Sequence, residues 1–170
     1  MSRLTLLLIL VLLPVSATEA AAQRLTPPVN PGTSQANLNI AGKVGGKNLQ
    51  ASGSGTCQHA ADASIRGVSA SLWMVQYTGS DDGAVRQLNL TLWRPKDGSP
   101  DQLSLALDSK TGEHRIETGG SGESKGEGSV TILPNGPGGR LELSGKDAAG
   151  KKIQIAIDCP AFAGVQAEGG

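Results

Sequence analysis

The chain has 170 residues, and its 15 Lys and Arg are balanced by 15 Asp and Glu. With no basic excess to hold phosphates and no block of like charge to bind an anionic bilayer, nucleic acid and membrane surfaces are excluded as main partners. Two Trp, one Tyr and one Phe set against 24 Gly predict a single lean, aliphatic core with many tight turns.

Arg3 gives a short positive start, Leu4 to Leu13 is apolar except for Thr5, Pro14 ends the run, and Ala20-Ala21-Ala22 offers a small-residue cleavage pattern before Gln23. This order predicts a secretory signal peptide over residues 1–22. The apolar run is shorter than the roughly 20 residues a membrane helix needs, so no stable span is expected after cleavage. The expected leader carries one charge of each sign, Arg3 and Glu19, so the balance is unchanged. Residues 23–36, with Pro27, Pro28, Pro31 and Gly32, read as a flexible linker. The predicted destination is secreted or periplasmic, where disulfides form and persist.

From Asn37 the pattern turns to period two. Leu38 and Ile40 open it; Leu88, Leu90 and Leu92 follow, then Leu103, Leu105 and Leu107, then Val130 and Ile132, Leu141 and Leu143, and Ile153, Ile155 and Ile157. Polar residues stand between them. Such alternation predicts half-buried antiparallel strands. Turn chemistry separates them at Ser80–Gly83, Pro95–Pro100, Ser109–Gly112, Asn135–Gly139 and Lys146–Gly150. The predicted fold is all-β over residues 37–162, an antiparallel β-sandwich or, alternatively, a small β-barrel, of eight or nine strands. Residues 58–70, with Ala60, Ala61, Ala63 and Ile65, are the one place with room for a short helix or an irregular crossover, though nothing there requires one. Residues 119–128 have no apolar side chain and read as a loop, and residues 163–170 as a disordered tail.

The stretch GSGTCQHAADASIRG, residues 53–67, raises three possibilities for Cys57 and His59: a thiol–imidazole pair, part of a metal site, or a disulfide. Cys57 shares strand parity with Leu49 and Ala51, and Cys159 with Ile153, Ile155 and Ile157, so both sulfurs are expected to point inward near strand ends. A reactive thiolate needs exposure, which this parity denies it. A Cys57–Cys159 disulfide is therefore predicted. His59, Asp62, Glu113 and His114 have no spacing that demands a metal, and the two histidines read as ordinary surface residues. No metal, cofactor or catalytic residue is assigned. Gly42–Asn48 resembles a phosphate loop only superficially, since Asn48 stands where Ser or Thr is needed.

The departures from simple alternation are aromatic. Leu72 and Met74 occupy one face of their strand while Trp73, Val75 and Tyr77 occupy the other, and Trp93 lies on the polar side of its own strand. Gathered with Arg86, Asn89 and Arg94, the residues Trp73, Tyr77 and Trp93 would make an outer platform for a glycan or a protein. The expected function is thus an exported, non-enzymatic binding or interaction module. A structural envelope protein without small ligand is the alternative, and a metal enzyme using His59 and His114 stands behind both. One Cys closing an early Gly/Ser-rich strand and another ending the last hairpin strand (Gly139 to Cys159) resembles small exported β-sandwich antigens of the actinobacterial cell envelope. The likeness covers two strands and carries no function.

Overall fold

A computed structural model describes residues 35–65, 67–119 and 125–165. The expected leader and nearly all of the expected linker lie outside these residues. The described chain forms β1 (Ala36–Val44), β2 (Lys47–Ile65), β3 (Val68–Thr78), β4 (Val85–Pro95), β5 (Gln102–Ser109), β6 (Gly112–Thr118), β7 (Glu127–Asn135), β8 (Gly138–Lys146), β9 (Lys152–Cys159) and a short β10 (Ala163–Gly164).

The alternation seen in the sequence becomes one sheet in the order β6-β5-β4-β3-β2-β1-β9-β8-β7, with β10 beside β2. Because β1 pairs with both β2 and β9 the sheet is continuous, and contacts between its two edges roll it into a nearly closed barrel. Every neighbour along this order is antiparallel. Nine strands is an odd number, so the two edges, β6 and β7, run in the same sense and no antiparallel ladder can join them. A parallel pairing would need a crossover of about a dozen residues, and only 119–126 connects them. The seam is closed in other ways. Glu117 and Lys125 form an isolated two-bond bridge, each N–H donating to the other's carbonyl at 2.9 Å. Arg94 on β4 donates to the Val130 carbonyl of β7 at 3.2 Å. His114 on β6 is bonded to Asp147 in the β8–β9 turn at 2.8 Å.

Inward positions are aliphatic: Leu38, Ile40, Val75, the two leucine ladders of β4 and β5, Ile116, Leu141, Leu143 and the isoleucines of β9 all belong to one buried cluster. Glycine provides space where strands or rings come close. An added Cβ at Gly53 or at Gly79 would lie 2.9 Å from the Tyr77 hydroxyl, so both residues make room for that ring. A Cβ at Gly42 would overlap the Gln154 carbonyl of β9. Gly42→Ala is therefore expected to cost about 1–3 kcal/mol, the usual range for overpacking, read as a lower urea midpoint at unchanged slope. Gly45 and Gly46, at φ 56° and 81°, make the tight β1–β2 turn, which explains the resemblance to a phosphate loop.

Three sequence expectations change. The described residues of 58–70 contain no helix: β2 continues through Ile65 and pairs with β3, with a bulge where Ala61 and Asp62 face Ser71. Ala163 and Gly164, expected in the tail, pair with Gln58 and His59. Of the expected loop 119–128, residues 120–124 lie outside the described residues, and β7 already begins at Glu127.

Cys57 and Cys159 are joined, with Cα atoms 6.0 Å apart. β1 separates β2 from β9 but begins at Ala36, opposite Gly55, so Cys57 lies beyond the reach of β1. The disulfide ties the part of β2 that runs past the start of β1 to the C-terminal end of β9. Among the described residues no helix is long and apolar enough to cross a membrane.

Candidate functional site

The most developed surface cluster forms where β2, β3 and β4 extend past the core. The β2–β3 register places His59 opposite Trp73, and their rings stack at 4.5 Å with planes 11° apart. From the β4 side, the Arg94 guanidinium lies 5.4 Å from the centre of the Trp73 ring. Phe162 meets His59 edge-on at 6.1 Å. It is placed by the preceding disulfide and by its own N–H, which donates to Pro137 O at 2.9 Å.

Each member has a second anchor. Nδ1 of His59 lies 3.0 Å from the Leu72 carbonyl. Arg94 grips Asp101, with Nε at 3.0 Å and Nη2 at 2.8 Å from Oδ2. The hydrogen bond to Asp101 also raises the Arg94 pKa, outweighing the effect of burial. Trp73 packs on the edge of the core, yet His59, Trp73 and Phe162 all stay half-buried and the Arg94 side chain is 41 % exposed. Each side chain of the cluster is thus held by contacts from more than one direction.

The six residues expected to form one outer platform do not share a face. Trp73 and Arg94 come together, both on the inward side of their strands and near their ends. Tyr77 is inside the core at 2 % exposure, and burial raises its hydroxyl pKa. Trp93 does point outward, but it is 7 % exposed beside Leu72, bordering a groove of about 350 Å³ with Thr91, Ser104 and Thr118. Arg86 is held by the Ser109 carbonyl and by Asp108, Nε to Oδ2 at 2.9 Å, and the hydrogen bond from Arg86 holds the Asp108 carboxyl below its ordinary value. Asn89 is half-buried on the outer face of β4. Since His59 approaches the Trp73 ring from β2 and Arg94 from β4, neither face of that ring is open for a sugar to stack on.

His59, Asp62, Glu113 and His114 are not gathered either. Asp62 pairs with Lys96. His114, expected at the surface, is 2 % exposed because it shares the inward parity of Ile116. Its Nδ1 faces Asp147 Oδ2 at 2.8 Å and its Nε2 faces Thr111 Oγ1 at 3.0 Å, and Thr111 in turn lies 2.7 Å from Ser109 Oγ. This chain has the order of a hydrolase relay. However, Ser109 is 1 % exposed and also donates to Gly112 O, and the Thr111 N–H is spent on Ser109 Oγ. It fastens the β5–β6 turn to the β8–β9 turn. Among the described residues, no three His, Cys, Asp or Glu side chains converge as a metal site would require.

Phe162 and Asp101 were not singled out from sequence. Phe162 had one available signal, as a lone aromatic three residues past a disulfide cysteine; Asp101 had none. Comparison with protein-family models, with curated proteins and with solved structures finds no match to this chain.

Proposed function

We propose that the protein is an extracytoplasmic, non-enzymatic interaction module whose contact surface is the cluster of His59, Trp73, Arg94 and Phe162. The observation that carries this reading is the cluster itself: a Trp, an Arg and two further rings, each pinned by a second contact and each half-exposed at the end of a stapled barrel. Trp and Arg dominate the energetically important residues of protein interfaces, and pre-ordered side chains favour binding. The two covered faces of Trp73 favour a protein partner over a glycan. The leader expected at the N-terminus and the Cys57–Cys159 disulfide support a location outside the cytoplasm.

A native mass spectrum of the protein purified from the extracytoplasmic fraction of its own host tests this reading. The expected result is an oxidised chain starting near Gln23, two hydrogens lighter than the dithiol and carrying a second polypeptide. A chain that instead holds stoichiometric metal, or has free thiols at Cys57 and Cys159, would return residues 53–67 to the status of a candidate active site.

A further inference from the structure

Two polar atoms flank the Trp73 ring without a partner among the described residues. The first is on His59. A carbonyl only accepts, so the 3.0 Å contact between His59 Nδ1 and Leu72 O requires the hydrogen on Nδ1. In the neutral ring Nε2 is then a hydrogen-bond acceptor, and nothing described engages it. No fully buried side-chain nitrogen or oxygen among the described residues lacks a partner, so Nε2 is not sealed from solvent. The stack on Trp73 and the edge of Phe162 fix the direction in which its lone pair points. The second atom is on Arg94. Its Nε and Nη2 serve Asp101, and Nη2 also serves Val130 O. Nη1 keeps its two N–H donors, and by the same reasoning it is not sealed from solvent.

We infer that His59 Nε2 and Arg94 Nη1 form an acceptor and donor pair that holds the backbone of an extended, uncharged segment of a partner protein. This rests on the reading of the cluster as an interaction surface and specifies what that surface takes. Charge decides against anions. Asp101 already neutralises Arg94 in a two-pronged pair, so a phosphate, a carboxylate or an acidic sugar gains little net attraction here. Ring stacking is closed off by His59 and Arg94 themselves. What remains on offer is one acceptor and one donor, carried by the two side chains that flank the indole. An extended peptide presents its C=O and N–H groups along one side and suits both, with an apolar side chain lying on the exposed indole edge.

The test uses the full oxidised chain and, as probe, a 12-residue peptide selected on it from a randomised displayed library, then synthesised with blocked ends. Affinity is measured by fluorescence polarisation. His59→Phe keeps a ring to stack on Trp73 and removes the acceptor, and it is expected to weaken binding about tenfold, the loss of one hydrogen bond. His59→Gln, whose amide oxygen again accepts, is expected to recover part of that loss, which a purely structural role for His59 would not produce. Unchanged peptide binding in both variants would overturn the inference while leaving the module reading in place. Failure of the wild-type chain to select any peptide would overturn the inference as well, and the native mass spectrum would then judge the module reading separately. If His59→Phe fails to fold, the comparison of His59→Gln with Arg94→Lys decides: the first is expected to keep more affinity than the second, since Lys replaces the planar fork by a single point charge.

Discussion

Replacing both Cys57 and Cys159 by Ser is expected to lower stability by about 4–5 kcal/mol, the chain-entropy value for a closed loop of this length. The sequence separation is 102 residues, so the staple restricts most of the described chain in its unfolded state. The native state also depends on it locally. β1 stops short of Cys57, and the disulfide is the covalent tie between β2 and β9 at that level. Just beyond it, β10 pairs with Gln58 and His59, and Phe162 reaches the His59 ring. Reduction should therefore do two things in order of severity. It should move the urea midpoint down sharply, and it should loosen the His59–Trp73 stack under conditions where the barrel is still folded. Equilibrium unfolding with and without reductant checks the first, and Trp73 fluorescence in a Trp93→Phe background checks the second. An unchanged midpoint after complete reduction would show that the ladders of β1 and β10 already fix this end.

The second large effect is expected at Asp147. His114 and Asp147 have side chains only 1 % and 6 % exposed. Asp147 Oδ1 also accepts the N–H groups of Ala149 and Lys151 at 2.9 and 2.8 Å. Burial pushes the Asp147 carboxyl up, but the hydrogen bonds from His114 and from those two N–H groups outweigh it and hold the group below its ordinary value. A carboxyl with a folded-state pKa below its unfolded value binds fewer protons when folded. Its contribution to stability is then fully present above the unfolded value of about 4 and is lost as pH falls through the lower, folded value. Asp147→Asn is expected to cost about 3 kcal/mol at pH 7, because it leaves a buried partner incompletely satisfied, and to flatten the acid limb of the stability profile. Unfolding midpoints from pH 7 down to pH 2 for both proteins measure this. A variant whose profile parallels the wild type throughout would show that other carboxylates, such as Asp108 or Glu127, account for the acid limb.

The strands were legible because two residues per period, one in and one out, is a local property. The ladders of Leu88, Leu90 and Leu92, of Leu103, Leu105 and Leu107, and of Ile153, Ile155 and Ile157 each read directly as an inward face. The shared parity of the cysteines with those faces extended the same logic to the disulfide. Residues 58–70 were harder. Ala60, Ala61 and Ala63 favour a helix locally, and only the distant pairing with β3, bulged at Ala61 and Asp62, makes the segment a strand. The choice between sandwich and barrel was not local either, since both give the same alternation. It is decided by β1 joining β2 to β9 in one continuous sheet and by the distant contacts that bring the two edges of that sheet together.

The candidate site was half legible for the same reason. Trp73 and Arg94 stood out as chemistry-bearing residues, but their faces depend on which side of β3 and β4 holds the core. Val75 and Tyr77 answer that for Trp73, and Leu92 for Arg94, placing both inward and leaving Trp93 on the opposite side of the sheet. In sequence, the chemically suggestive neighbour of His59 is Cys57. Its working neighbour is Trp73, across a register that no stretch of sequence displays. The polar fasteners of the seam, Arg94 to Val130 and His114 to Asp147, have the same origin. They follow from an odd strand count that leaves β6 and β7 unable to pair.

The most direct test of the interaction surface is site-specific photo-crosslinking in the native host, with a benzophenone amino acid at position 162 and, as control, at position 50 on the outer face of β2. A discrete protein adduct from position 162, absent from position 50 and abolished by adding Arg94→Met, is the result expected of an interaction module that works through the His59–Trp73–Arg94–Phe162 cluster. An adduct pattern identical at both positions, or unaffected by Arg94→Met, would contradict it.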